Sequence, residues 1–283
     1  MKKSILFLCL SVFIYTGYTQ SYPQTANTIR MMSYNIQNGK GMDNVVDYQR
    51  IADVITQSSP DVIAIQELDS VTNRSKGVDV LSHLASLTDM YAVYGASIPF
   101  DGGQYGIGVL SKQQPLSWHR IPLPGKEEAR SLLIVEFIDY VFCCTHFSLK
   151  ADDRFASVDL INQAIKDFDK PVILAGDIND TPESSVLKEF QQNWTILTDT
   201  SKFTIPSNNP RRTIDYILGY TPKGYTYPVW QTRVLNTLAS DHLPLFVDVQ
   251  LKTAKDNVVH VQNRIAGKTL AYNTLILNKT LLF

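Results

Sequence analysis

The sequence predicts a mixed α/β protein folded as one continuous domain, residues 28–251. Three observations carry that expectation. Short apolar runs, bounded by Pro, Gly, Asp or Asn, alternate with stretches whose apolar residues recur every three or four positions. No linker, repeat or low-complexity segment interrupts the chain before Leu251. With 283 residues, 44% hydrophobic and 19% charged, there is enough apolar side chain for a large core.

Taken in order, the run Ile29 to Tyr34 reads as a strand ending on Asn35, and Tyr48, Ile51, Ala52 and Ile55 mark one face of a helix that Pro60-Asp61 terminates. Val62-Ile63-Ala64-Ile65 is a buried strand that stops on Gln66-Glu67. A second helix is expected from Val80 to Leu87, with Leu81, Leu84 and Ala85 on one side. Strands then dominate: Tyr91 to Tyr94, the glycine-rich Gly102 to Leu110, and Leu132 to Phe137, the last joined to Val141–Thr145 through a turn at Asp139-Tyr140. Phe155, Val158, Ile161, Ala164, Ile165 and Phe168 suggest a third helix, entered through Asp152-Asp153, whose charges suit a helix N-terminus. Pro171 to Ala175 ends on Gly176-Asp177, and strands at Thr213–Leu218 and Leu245–Val249 close the domain. Residues 252–283 form a C-terminal extension with no chemical role in its sequence.

Residues 1–21 read as a secretory signal peptide: Lys2 and Lys3, then an apolar stretch from Ile5 to Tyr15, then a small, polar exit. The stretch is short for a membrane span of ~20 residues, although an uncleaved anchor is the alternative. The expectation is export to the periplasm or the extracellular space. Cys143 and Cys144 are neighbours in a strand-like run, so they point to opposite faces and are badly placed to bridge. A net charge of −1 and a pI near 6.5 give no global positive field toward duplex DNA or an anionic membrane.

Four apolar runs end on residues of the kind that bind metal or phosphate: Asn35, Gln66-Glu67, His146, and Gly176-Asp177-Ile178-Asn179. Strand ends gathered on one edge of a sheet let a rigid core hold such groups in convergence. Each residue also has an ordinary reading. Glu67 could be solvated, Asn35 could cap a turn, His146 could be a bonded core histidine, and Asp177 and Asn179 could close a turn. Together they supply hard oxygen ligands, a general base and hydrogen-bond donors, the set needed to hold a divalent cation and a phosphoryl group.

Ser33-Tyr34-Asn35-Ile36-Gln37, Pro60 to Glu67, Tyr105 to Ser111, Thr145-His146-Phe147, Gly176 to Asn179, Ile214-Asp215-Tyr216-Ile217 and Ser240-Asp241-His242 resemble, in order, the motif series of the endonuclease/exonuclease/phosphatase superfamily, and of its exported bacterial members in particular. The resemblance spans about Met31 to Val249. It implies a DNase I-like α/β/β/α sandwich: two packed mixed β-sheets flanked by helices, with the site at one end. It also implies roles. Glu67 would bind Mg²⁺, with Mn²⁺ as an alternative, and Asn35 and Asp241 would stand near the metal or its waters. Asp177 would orient or deprotonate the attacking water. Asn179 would hold that water or a phosphoryl oxygen. His242, held by Asp215, and His146 would donate to the phosphoryl oxygens.

Arg130 stands where relatives often carry a phosphate-binding arginine, a role that suits its bidentate fork; a solvated strand-edge charge is the other reading. Gln37 departs from members with a carboxylate at that place, which removes support for a second metal there. Arg74 reads as a loop arginine that is solvated or reaches a phosphate. The expected activity is metal-dependent phosphoester hydrolysis, a phosphodiester favoured, on a small-molecule or lipid phosphoester. A peripheral membrane contact is compatible with that, and no protein partner is expected. A secreted nuclease and a non-enzymatic binding protein on a degenerate scaffold are the alternatives.

Overall fold

The computed structural model describes residues 22–253. The signal peptide expected at residues 1–21 lies outside them, as does the C-terminal extension beyond Thr253.

The chain runs β1 (Ile29–Asn35), α1 (Tyr48–Ser58), β2 (Val62–Ser70), α2 (Val80–Thr88), β3 (Tyr91–Phe100), β4 (Gly103–Ser111), β5 (Ser117–Leu123), β6 (Arg130–Glu136), β7 (Val141–His146), α3 (Ala151–Ile165), β8 (Val172–Asp177), α4 (Ser185–Phe190), β9 (Trp194–Ile196), β10 (Asp215–Tyr220), β11 (Val229–Val234) and β12 (Leu245–Val249). Two six-stranded sheets result, ordered β11-β12-β1-β2-β4-β3 and β5-β6-β7-β8-β10-β9.

Strand alternation explains the layers. Met31, Ala64, Leu133, Cys144, Ile173 and Ala175 face inward and fill the space between the sheets. Their neighbours Met32, Ile63 and Ile65 face outward under α1 and α2, while Cys143 and Leu174 face outward under α3 and α4. The result is the four-layer α/β/β/α sandwich. Cys143 and Cys144 are free and buried on opposite faces of one strand, as strand geometry requires.

The two sheets repeat one plan. Each has a parallel central pair, β1 with β2 and β7 with β8, and a helix crosses between the members, α1 or α3. Antiparallel neighbours flank each pair: β12 and β4 in the first sheet, β6 and β10 in the second. The C-terminal ends of the parallel strands and the N-terminal ends of their neighbours therefore lie together. The polar strand ends come from two sheets, not from the edge of one, because the sandwich brings both parallel pairs to the same end.

Several elements differ from the sequence expectation. β2 does not stop at Glu67 but continues to Ser70 through a bulge, where Ile65 pairs Gly108 and Leu68 pairs Gly106. α3 ends at Ile165, and its buried face is Asp153, Ser157, Val158, Ile161 and Ile165, leaving Phe155 partly exposed. β5, β9, β11 and α4 had no clear signal in the sequence. Gly176 is required by a close approach: a Cβ there would stand 2.0 Å from the Thr145 carbonyl oxygen.

Candidate active site

At the shared end of the sandwich, β1 delivers Asn35, β2 delivers Glu67, β7 delivers His146 and β8 delivers Asp177. The neighbouring strands begin here too, which places Tyr105, Arg130 and Asp215 at this end, with Asp241 and His242 just ahead of β12. A cavity of about 470 Å³ opens among Glu67, Tyr105, Arg130, His146, Asp177 and His242. A larger cavity of about 770 Å³ lies at the other end, near Ile29, Ile138 and Tyr225, and none of the motif residues lines it.

Glu67 sits in the β2 bulge at φ 60°, a left-handed conformation that costs a non-glycine residue on the order of 1 kcal/mol. The bulge turns its carboxylate into the cavity while Gln66 stays between the sheets against Cys144. Burial raises the Glu67 pKa, with the Asn35 hydrogen bond pulling the other way and Asp241 adding to the rise. Asn35 bridges the two sheets: its amide nitrogen donates to Glu67 Oε1 at 2.9 Å and to Asp177 Oδ2 at 3.2 Å. Its amide oxygen accepts from Gln37 N at 3.1 Å, so the amino group, not the oxygen, faces the carboxylates.

Asp177 is buried and held by Asn179 N at 2.8 Å. Burial first, and then Asp215, pushes its pKa well above the ordinary carboxylate range, against the pull of His242. Asn179, in a left-handed conformation after β8, spends one amide N–H on the Phe147 carbonyl at 2.9 Å and lines the cavity. His146 Nε2 lies 3.5 Å from Asp177 Oδ2. Burial, with Arg130 and His242 nearby, holds His146 well below its ordinary value, so it stands as neutral imidazole.

His242 is the opposite case. Its Nδ1 contacts Asp215 Oδ1 and Oδ2 at 3.1 and 3.0 Å, and its Nε2 lies 3.7 Å from Asp177 Oδ2. Burial alone would lower it, but Asp215, through its charge and hydrogen bond, acts with Asp177 and Asp241 to overcome burial and push it up to about 10. In a cluster with two buried carboxylates, the proton belongs on the imidazole that touches both. Asp177, Asp215 and His242 offer ligand atoms within 4.8 Å of one another, a spacing a metal could use. The His242–Asp215 bonds already occupy the facing atoms, however, which favours a hydrogen-bonded pair over a coordination sphere. Ser240 Oγ donates to the Asn35 carbonyl at 2.7 Å and ties this segment to β1.

Arg130 is buried, pairs with Glu128 at 2.9 Å and leaves its Nε without a protein partner, so it is not a solvated edge charge. Arg74 is neither free nor aimed at the cavity centre: Asp69 clamps it at 2.7 and 2.8 Å, and it lies over Phe100 and Tyr105. Sequence reasoning did not single out Tyr105, Arg154 or Arg212 as individual site residues, though all three line the cavity. Tyr105 had a usable signal, since it opens a strand beside the one that carries Glu67.

Residues 32–242 match the endonuclease/exonuclease/phosphatase family. No curated protein matches the chain. Among solved structures, the chain is similar to an endonuclease/exonuclease/phosphatase from Beutenbergia cavernae DSM 12333, at 23% identity and a TM-score of 0.66, covering 80% of this chain and 72% of that one. It also resembles a mannosyl-6-phosphatase from Bacteroides thetaiotaomicron VPI-5482, at 16% identity and TM-score 0.63 over 78% and 99% of the two chains. The human Nocturnin catalytic domain with bound sulfate anion gives 18% identity and TM-score 0.63 over 80% and 94%.

Proposed function

Because the chain belongs to the endonuclease/exonuclease/phosphatase family, whose members are phosphoester hydrolases, we propose that it hydrolyses a phosphoester, preferably a diester, in a divalent-metal-dependent reaction at the cavity between Glu67 and His242. One observation carries this reading: hard oxygen donors, a buried carboxylate with a raised pKa, a neutral imidazole and a charged imidazole all converge at the shared strand ends.

The donor set fits a hard cation. Glu67 and Asp241 repel each other across a site where burial already disfavours charge on Glu67. A Mg²⁺ ion held by these two carboxylates, beside Asn35, would supply Lewis-acid polarisation of a phosphoryl oxygen. Asp177 orients the attacking water and takes its proton, because a raised carboxylate pKa brings the base nearer the working pH. Asn179 positions that water with its remaining amide N–H. His146 donates from neutral imidazole, while His242 presents an imidazolium to the oxygens on which charge grows, oriented by Asp215. Arg130 adds a guanidinium whose Nε has no protein partner.

We further propose export, from the basic start and short apolar stretch of residues 1–21. Among the described residues no helix is long and apolar enough to cross a membrane. A small-molecule phosphoester is the favoured substrate class; the mannosyl-6-phosphatase fold relative supports that over a duplex nucleic acid, as does the absence of excess basic charge. The test is hydrolysis of bis-p-nitrophenyl phosphate, mannose 6-phosphate and plasmid DNA, with Mg²⁺ or Mn²⁺ and with chelator. Metal-dependent turnover lost in Asp177→Ala supports the reading. Inactivity on every ester with either metal sinks it.

A further inference from the structure

We infer that the cavity carries a second anion seat centred on Arg212, so that the enzyme selects phosphoesters bearing another oxyanion, phosphate or carboxylate, on the group esterified to the scissile phosphate. This rests on the phosphoester reading above and names its substrate class.

Three arginines line the cavity, and their partners differ. Arg130 is paired with Glu128 at 2.9 Å. Arg154 is paired with Asp180 at 3.0 Å and donates to the Ser148 carbonyl at 3.2 Å. Arg212 is exposed, and among the described residues no carboxylate pairs with it. Its neighbour Arg211 is satisfied locally: with the Asn209 amide turned so that its oxygen faces the guanidinium, Asn209 accepts from Arg211 at 2.7 Å. Of the three cavity arginines, Arg212 is the one that no carboxylate among the described residues pairs with.

Its backbone is firmly mounted. Ile205 and Arg212 form a β-bridge that closes a short loop, with Arg212 N donating to the Ile205 carbonyl at 3.1 Å. The foot of that loop is tied to the segment that carries His242. Ser207 N donates to the Asp241 carbonyl at 2.7 Å, Ser207 Oγ to the Ser240 carbonyl at 2.6 Å, and Leu243 N to the Thr204 carbonyl at 2.7 Å. The backbone that carries Arg212 is thus anchored to the segment that carries His242. A guanidinium fork on the wall of a phosphoryl cavity, without a carboxylate partner, can take a second oxyanion, and it has no favourable partner in a neutral or cationic alcohol.

The experiment uses the full chain and four p-nitrophenyl phosphodiesters that differ only in the second alcohol: ethanol, choline, glycolate and a glycol carrying a second phosphate. The wild type is expected to show kcat/KM highest for the two anionic esters, and Arg212→Gln to reduce those by about tenfold or more while leaving the ethyl ester unchanged. The glycolate and glycol phosphate arms tell carboxylate from phosphate selection. A parallel titration of inorganic phosphate and methylenebisphosphonate into chelator-treated protein reads binding without turnover. The bisphosphonate should bind about tenfold or more tighter than phosphate, and Arg212→Gln should remove that advantage. Equal losses on all four esters, an unchanged preference in the variant, or equal binding of the two anions would overturn the inference. Absence of hydrolysis with all esters counts against the phosphoester reading alone, since the binding arm still decides the anion seat.

Discussion

Replacing Asp215 by Asn tests the buried His242–Asp215 pair. The perturbation is nearly isosteric: it removes the charge that meets His242 Nδ1 at 3.0 Å and keeps the shape. Asp215 is the chief cause that lifts His242 from 6.5 to about 10 against burial. That gap corresponds to a preference for the imidazolium of ~5 kcal/mol, taking about 1.4 kcal/mol per tenfold change, and His242 is buried enough for little of it to be screened. Without the carboxylate, burial acts unopposed by its main rival, and His242 is expected to fall to its ordinary value or lower. At pH 8 the variant would then present neutral imidazole to the phosphoryl oxygens, with a loss in kcat of roughly 10²–10⁴. The assay is kcat/KM against pH from 5 to 10.5. The wild-type rate rises through about pH 7 as Asp177 loses its proton and then holds until the alkaline limb near pH 10, whereas in Asp215→Asn that alkaline limb moves to the acid side of neutrality. Stability has a matching sign. The folded pKa lies above the unfolded one, so the contribution of His242 is fully present below about pH 6.5 and is lost as pH rises through about 10. Thermal unfolding of metal-free protein between pH 7 and 10 should therefore decline less in the variant. An unchanged kcat with an unmoved alkaline limb would refute the reasoning.

Other expected outcomes follow from the same geometry. Mg²⁺ at 100 times its Kd should stabilise the wild type by about 2.7 kcal/mol, read as a rise in Tm, and Glu67→Gln should abolish the rise while Asp215→Asn keeps it. Asp177→Asn should lower kcat by at least about 10³ yet raise the metal-free Tm, because its folded pKa lies above the unfolded value and the buried charge costs stability at neutral pH; a fall in Tm would contradict the cause assigned to the shift. Far from the site, fully buried Arg30 is bound by Asp248 at 2.6 and 2.8 Å and donates to the Ser58 carbonyl at 2.8 Å. Asp248→Asn should cost roughly 3–5 kcal/mol in urea unfolding, with KM unchanged, since it leaves a buried cation without its counter-charge.

What the sequence made legible follows from where each signal is stored. Asn35, Glu67, His146 and Asp177 announce themselves because a polar residue ends an apolar run, and that contrast survives without a structure. β5 and β11 were invisible because both are edge strands with mostly exposed or half-buried residues, so no alternation is written into Ser117–Leu123 or Val229–Val234. The bulge at Glu67 is a property of register with β4, which a single strand does not encode. Arg130 was ambiguous because burial decides its role, and burial depends on Glu128 and the sheet above it. Arg212 was missed because its place on the cavity wall depends on the bridge to Ile205 and on the hydrogen bonds of Ser207 to Ser240 and Asp241, contacts made far along the chain.

The repeated plan of the two sheets has a mechanical consequence. One sheet carries Glu67 and Asn35, the other His146 and Asp177, so no single sheet owns the reaction centre. Their separation is set by the apolar seam where Met31, Ala64, Leu133 and Ile173 interdigitate, with Asn35 as the stitch across the top. Shaving that seam at a distance, as in Leu133→Ala, should cost ~2–5 kcal/mol in stability. Any residual slip of about 1 Å between the sheets would slow turnover by ~10²-fold with every reacting group still in place. Catalytic rate thus serves as a ruler laid across the sandwich, and the oily interior is what calibrates it.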